Sequence, residues 1–183
     1  RTDTFLSFIK DASEITPILK DLLSAWVLMG LNDEVNANRI FDKTAKVQGM
    51  GQFVNFHRAM SQLAAGKFEQ ALKTFNLIHS DKENPTRRSV ISHTKILLSQ
   101  SKFKEAQSLL EKWFGPTFDP EIEELFLNAT NEKVYPKTSF SNINIAVADV
   151  FHSIANLIRK EADPTFTLIY SRLAEYLLSL IHI

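Results

Sequence analysis

Shifted by 35 positions, residues 63–85 fall on residues 98–120, and the identities sit where a helical hairpin needs them. Leu63 meets Leu98, Lys67 meets Lys102, Phe68 meets Phe103, Ala71 meets Ala106 and Pro85 meets Pro120. These positions mark the end of one helix, a turn, the start of a second helix, a small contact residue and a terminal proline. An upstream copy places Ala37 34 residues before Ala71, and Phe41 34 residues before Phe75. A two-helix unit of this length is too thin to bury its own apolar side. Units of this kind stack, so that neighbours share one continuous core. The small residue then lets two helices approach closely, and Ala71 and Ala106 are the expected contact points.

The rest of the chain agrees with a helical reading. Apolar residues recur at three- and four-residue spacing almost throughout, while strand-like alternation is not found. The spacing predicts helices over about Asp3–Ala12, from a Ser13 cap to about Gly30, and over Glu34–Lys46, Phe53–Ala65, Phe68–His79, Arg88–Ser99 and Phe103–Phe114. Shorter or later ones are expected over Pro120–Ala129, Ala148–Leu157 and Phe166–Leu177. Turns are expected at Asn32–Asp33, Gly66 and Ser101, with glycine and proline confined to the punctuation.

Composition excludes several kinds of chemistry. The chain has no cysteine, which removes disulfides, thiolate zinc sites and cysteine nucleophiles. Lys+Arg and Asp+Glu are both 21, so no basic excess is available to neutralise phosphates, which argues against a nucleic-acid partner. No apolar run approaches the length of a membrane helix. Metalloprotease, P-loop, dinucleotide-binding and nucleophile-elbow motifs are absent. The histidines at 57, 79, 93, 152 and 182 are dispersed with no ligand-spaced pair on one helix, and are expected to face solvent or to be partly packed. The expectation is therefore no catalytic residue, no cofactor and no metal. Glu121, Glu123 and Glu124 open a helix, where acidic side chains complement the helix dipole. Arg87–Arg88 reads as a solvated pair. Phe68, Phe75 and Phe103 occupy repeat core positions and read as packing residues.

The motifs around Gly66–Lys67–Phe68–Ala71–Phe75 and Ser101–Lys102–Phe103–Ala106, with a third copy over Trp26–Phe41, resemble the tetratricopeptide repeat (TPR) family. Together with Ala148–Leu157 and Phe166–Leu177, the chain is similar to a group of alphaproteobacterial TPR-containing proteins of unassigned role. The first helices replace the usual Trp–Leu–Gly–Tyr set; around Gly66 it becomes Phe56, Ala59, Met60 and Leu63. The resemblance implies an all-α, right-handed α-α superhelix, a TPR-like solenoid of antiparallel helix pairs. It divides the chain into the second helix of an upstream repeat (1–12), repeats at 14–47, 50–81 and 86–115, an irregular insertion at 116–142 and a further repeat at 143–179. It also implies a bacterial protein, cytoplasmic or periplasmic, of which this chain is a fragment.

In a TPR-type stack the first helix of each pair lines the inner groove. Carried over residue by residue, the groove-facing candidates are His57 and Ser61, Ile91 and Lys95, and His152, Asn156 and Arg159. They form no carboxylate-clamp array. The expected function is a non-catalytic scaffold that binds a peptide or partner protein in this groove. The alternatives are an RNA-binding repeat of the pentatricopeptide type, which the neutral charge disfavours, and a non-catalytic domain of a larger enzyme. Uncapped solenoid ends, such as Tyr176–Ile181, offer a route to a homo-oligomer.

Overall fold

The structure, a computed structural model, describes residues 17–80, 84–137, 143–158 and 164–179. The expected helix over Asp3–Ala12 lies outside them. Among the described residues the chain is all-helical, with α1 Pro17–Gly30, α2 Glu34–Ala45, α3 Gly51–Ala64, α4 Phe68–Ser80, α5 Arg87–Ser99, α6 Phe103–Phe114, α7 Pro120–Thr130, α8 Ile143–Ile158 and α9 Pro164–Ser179.

The same turn closes each of the first three hairpins. Asn32, Gly66 and Ser101 adopt φ of 60°, 75° and 59°, each two residues before the next helix. In every case the following amide reaches back five residues to a helix carbonyl: Asp33 N to Leu28 O at 2.9 Å, Lys67 N to Gln62 O at 2.8 Å and Lys102 N to Leu97 O at 2.9 Å. This left-handed closure satisfies carbonyls that a helix end leaves orphaned. Only Gly66 takes that conformation without a side-chain penalty. Glu132 (φ 52°) repeats the geometry after α7, with Lys133 N to Asn128 O at 2.8 Å. Side-chain caps start the next helices: Asp33 for α2, Thr86 for α5 and Asp119 for α7.

Ala37, Ala71 and Ala106 are fully buried, as are Phe41, Phe75 and Leu110 one turn further on. The close-contact role expected of the alanines is thus met. Ala106→Leu should cost about 1–3 kcal/mol, because the helices must part to admit the added carbons; a urea midpoint lowered by less than the error would refute it. Phe68 and Phe103 are only partly buried against the core, since they open α4 and α6 beside the turn rather than facing the stack.

Helices α1 to α7 pack as a row. Each touches the next, and α1 also meets α3 as α5 meets α7. Helix α7, expected within an irregular insertion, sits against α6 and α5. Arg87 ties α5 to the start of α7 through both carboxylate oxygens of Asp119 (3.0 and 2.8 Å) and through Glu121 (2.9 Å). The pairing of Arg87 with these acids is cross-helix, so neither partner is simply a solvated charge.

The last hairpin does not extend that row. Helices α8 and α9 pack on each other, and α8 packs on α1 and α3 at the other end of the chain. Ala148, Val150, Phe151, Ile154 and Ala155 join Leu19, Leu22, Trp26, Met29 and Phe41 in one apolar cluster; a second holds α3 to α7. The chain after α7 travels back along the row. Tyr135 lies 5.7 Å from Lys95 Nζ on α5, and Lys137 Nζ lies 5.3 Å from the Phe68 ring at the start of α4.

Candidate functional site

The first helices of the three hairpins, α1, α3 and α5, offer one side of the row, and α8 is seated there. Its sequence explains why it can be. Ala148, Phe151, Ile154 and Ala155 are buried at helical spacing, while Asp149, His152, Ser153 and Asn156 form a polar side. Arg88, in the first turn of α5, bonds to Asp149 and donates to Ser153 Oγ at 3.0 Å. Its guanidinium stands 5.0 Å over the Phe56 ring of α3. One cation therefore joins α5, α3 and α8, with its charge met by a carboxylate and its planar face by an aromatic ring.

The candidate groove residues do not form one open wall. His57 and Ser61 are fully enclosed on α3, and Ile91 is buried on α5. Ser61 Oγ is occupied by its own helix, donating to Arg58 O at 2.8 Å. Lys95 is partly exposed, under Tyr135 and 4.0 Å from Glu121. His152 and Asn156 are exposed on the outer side of α8 and bond to each other at 2.9 Å. Arg159 lies outside the described residues. Helix α8, expected to be the next wall of the groove, instead packs back on α1 and α3.

The expectation of solvent-facing or partly packed histidines is corrected at three positions. His57, His79 and His93 are buried. His57 lies 4.8 Å from the Phe53 ring and 5.5 Å from the Phe56 ring, with no hydrogen-bond partner among the described residues for either nitrogen. Burial, with the nearby Arg88 charge, pushes its pKa down to about 3. His79 and His93 come together from α4 and α5 with their Nδ1 atoms 3.1 Å apart, and His79 Nε2 is 3.0 Å from Ser89 Oγ. His93 stacks on Phe75 at 5.2 Å. Burial, aided by Lys112, lowers His79 to about 4; burial, aided by His79 and Lys102, lowers His93 to about 3.

This is a chain of neutral hydrogen-bonding groups. Ser89 is enclosed in the first turn of α5, so its hydroxyl does not face a substrate-sized opening. An open recess of about 400 Å³, whose lining includes His93 but not Ser89, is bordered by Asn76, Leu97, Lys104, Glu105 and Lys112. Among the described residues no three potential metal ligands gather. No spacing rule on a single helix could have found the His79–His93 pair, because it forms only when α4 and α5 pack.

No helix among the described residues is long and apolar enough to cross a membrane. No family model matches the chain, and no curated protein and no solved structure matches it either.

Proposed function

We propose that this chain is a non-catalytic scaffold of TPR-type antiparallel helix pairs, whose first-helix face receives a peptide or partner protein in helical form. The turns at Asn32, Gly66 and Ser101, and the buried alanines at matching places, support the repeat and its superhelical stacking. The observation that carries the binding reading is the seat of α8 on α1 and α3, fastened to α5 through Arg88. A face that holds one amphipathic helix has the width, apolar floor and charge to hold another, which is the helix-in-groove mode of recognition.

Selection of displayed 16-residue peptides on the full chain tests this. The expected enrichment is of amphipathic sequences with Asp or Glu beside the apolar stripe, and on an Arg88→Glu chain the preferred charge should reverse to Lys or Arg. No enrichment on either chain, or a charge preference that ignores the reversal, would sink the reading.

A further inference from the structure

We infer that α8 is a displaceable resident of the first-helix face: a built-in occupant whose place is taken by a partner helix of the same pattern. The partner's chemistry follows from what α8 presents. It is a helix with small or bulky apolar residues at the spacing of Ala148, Phe151, Ile154 and Ala155, and a carboxylate at the place of Asp149, one residue after the first of them. The inference rests on the scaffold reading and adds to it the identity of the competitor.

Three observations point the same way. First, α8 and α9 pack chiefly on each other and meet the row through α8 on α1 and α3, so the hairpin can leave as a unit without separating any neighbouring pair among α1 to α7. Second, the polar fastening of α8 to α5 is centred on one cation. Arg88 holds both Asp149 and Ser153, and its side chain remains 45% exposed, so water and an incoming carboxylate both reach it. Third, α7 is held to α5 by Arg87 through Asp119 and Glu121, contacts that involve neither α8 nor α9, so α7 keeps its place in the row when the hairpin leaves.

What α8 leaves behind is a site and not a flat apolar surface. Leu22 and Trp26 of α1, in one apolar cluster with α8, supply the floor, and Arg88 over Phe56 supplies a charge that orients an occupant along it. The enclosed His57, flanked by Phe53 and Phe56, adds an apolar ring edge to the same stretch of α3. A ligand helix of reversed charge would face Arg88 with a like charge and be rejected.

The test uses a fluorescent peptide of residues 143–158 added to the full chain. On the native chain α8 fills the site and binding is weak. On Asp149→Arg, where the resident helix is repelled by Arg88, the peptide with its own Asp149 should bind about tenfold tighter or more. The charge swap Arg88→Glu with Asp149→Arg restores the internal pair and should return the peptide to weak binding. If Asp149→Arg does not fold, hydrogen exchange on the native chain decides: α8 and α9 amides should exchange about tenfold faster than those of α3 and α4. A folded Asp149→Arg chain with unchanged peptide affinity overturns the inference, as does exchange of α8 and α9 only with the whole chain. Tight binding of selected peptides that leaves α8 protected would keep the scaffold reading and overturn displacement. Peptide 143–158 binding that no selected sequence competes with would uphold displacement and remove the scaffold reading.

Discussion

Lowering the pH from 7 to 5 should remove about 5 kcal/mol of folding stability, a large share of what a single domain has. The cause is three buried histidines. In the unfolded chain each takes up a proton near its ordinary pKa of about 6.5. In the folded chain His57 and His93 resist protonation down to about 3 and His79 down to about 4. The unfolded state thus binds more protons throughout that window, so stability is complete above the unfolded pKa and falls as the pH drops below it. At pH 5 each group contributes a loss of about 2 kcal/mol, and the His79–His93 contact makes the sum somewhat less than three times that. The charges that face the histidines, Arg88 toward His57, Lys112 toward His79 and Lys102 toward His93, all oppose protonation. Carboxylates act in a lower window. Hydrogen bonds from Lys67 and Arg87 hold Glu34 and Asp119 below the usual range, so their contribution is lost only as the pH falls past the ordinary carboxylate values. Urea unfolding followed by circular dichroism between pH 7.5 and 5 measures the effect. His57→Leu should remove about a third of the slope, and at pH 7 it should hold or raise stability, since it deletes two unpaired nitrogens at similar volume. A flat profile from pH 7 to 5 would mean that these rings are not buried neutral.

Much of the row was legible because its determinants are local. A left-handed turn, a cap and a buried alanine each act within one hairpin, so Asn32, Gly66, Ser101, Ala71 and Ala106 mark its geometry directly in the sequence. Helices α2 to α7 begin and end within two residues of where the apolar spacing places them, and Phe114 ends α6 where expected, whereas α8 begins five residues before the expected Ala148. The return of α8 was not legible in that way. Arg88 and Asp149 are 61 residues apart, and a repeat comparison assumes that the next hairpin lies next in the row. A signal was nonetheless present. Residues 143–158 are apolar on more than one face, with Ala148, Val150, Phe151, Ile154 and Ala155 all buried, as suits a helix covered on two sides rather than one lining a groove. The same assumption about the row put His57 and Ser61 on an open wall. Their burial is a tertiary result, since α3 packs on α1, α2, α4 and α8, and no local pattern in α3 records it.

Phe75→Ala should cost about 3–5 kcal/mol, among the largest losses available from a single side chain. Phe75 is fully buried where α4 meets both α3 and α5. Its ring stands edge-on to Phe56 at 6.2 Å and lies nearly parallel to His93 at 5.2 Å and 15°. Truncation removes the transferred apolar surface and the ring contacts, and the rigid helices around it cannot close the gap. For a chain of this length the melting temperature should fall by about 10 °C. A second readout separates this cavity from general loosening. Phe75 is part of what keeps water from His93, so in Phe75→Ala the His93 pKa should rise from its depressed value toward the ordinary one, visible in the pH titration of its ring protons by NMR. The variant should then show a shallower loss of stability between pH 7 and 5 than the native chain, although it starts from a lower value. Phe68→Ala is the comparison, because Phe68 shares the helix but is only partly buried beside the turn. It should cost about 1–2 kcal/mol and leave His93 unchanged. If both substitutions cost the same, Phe75 is not the contact between the helix pairs that its burial and its ring partners Phe56, His79 and His93 make it.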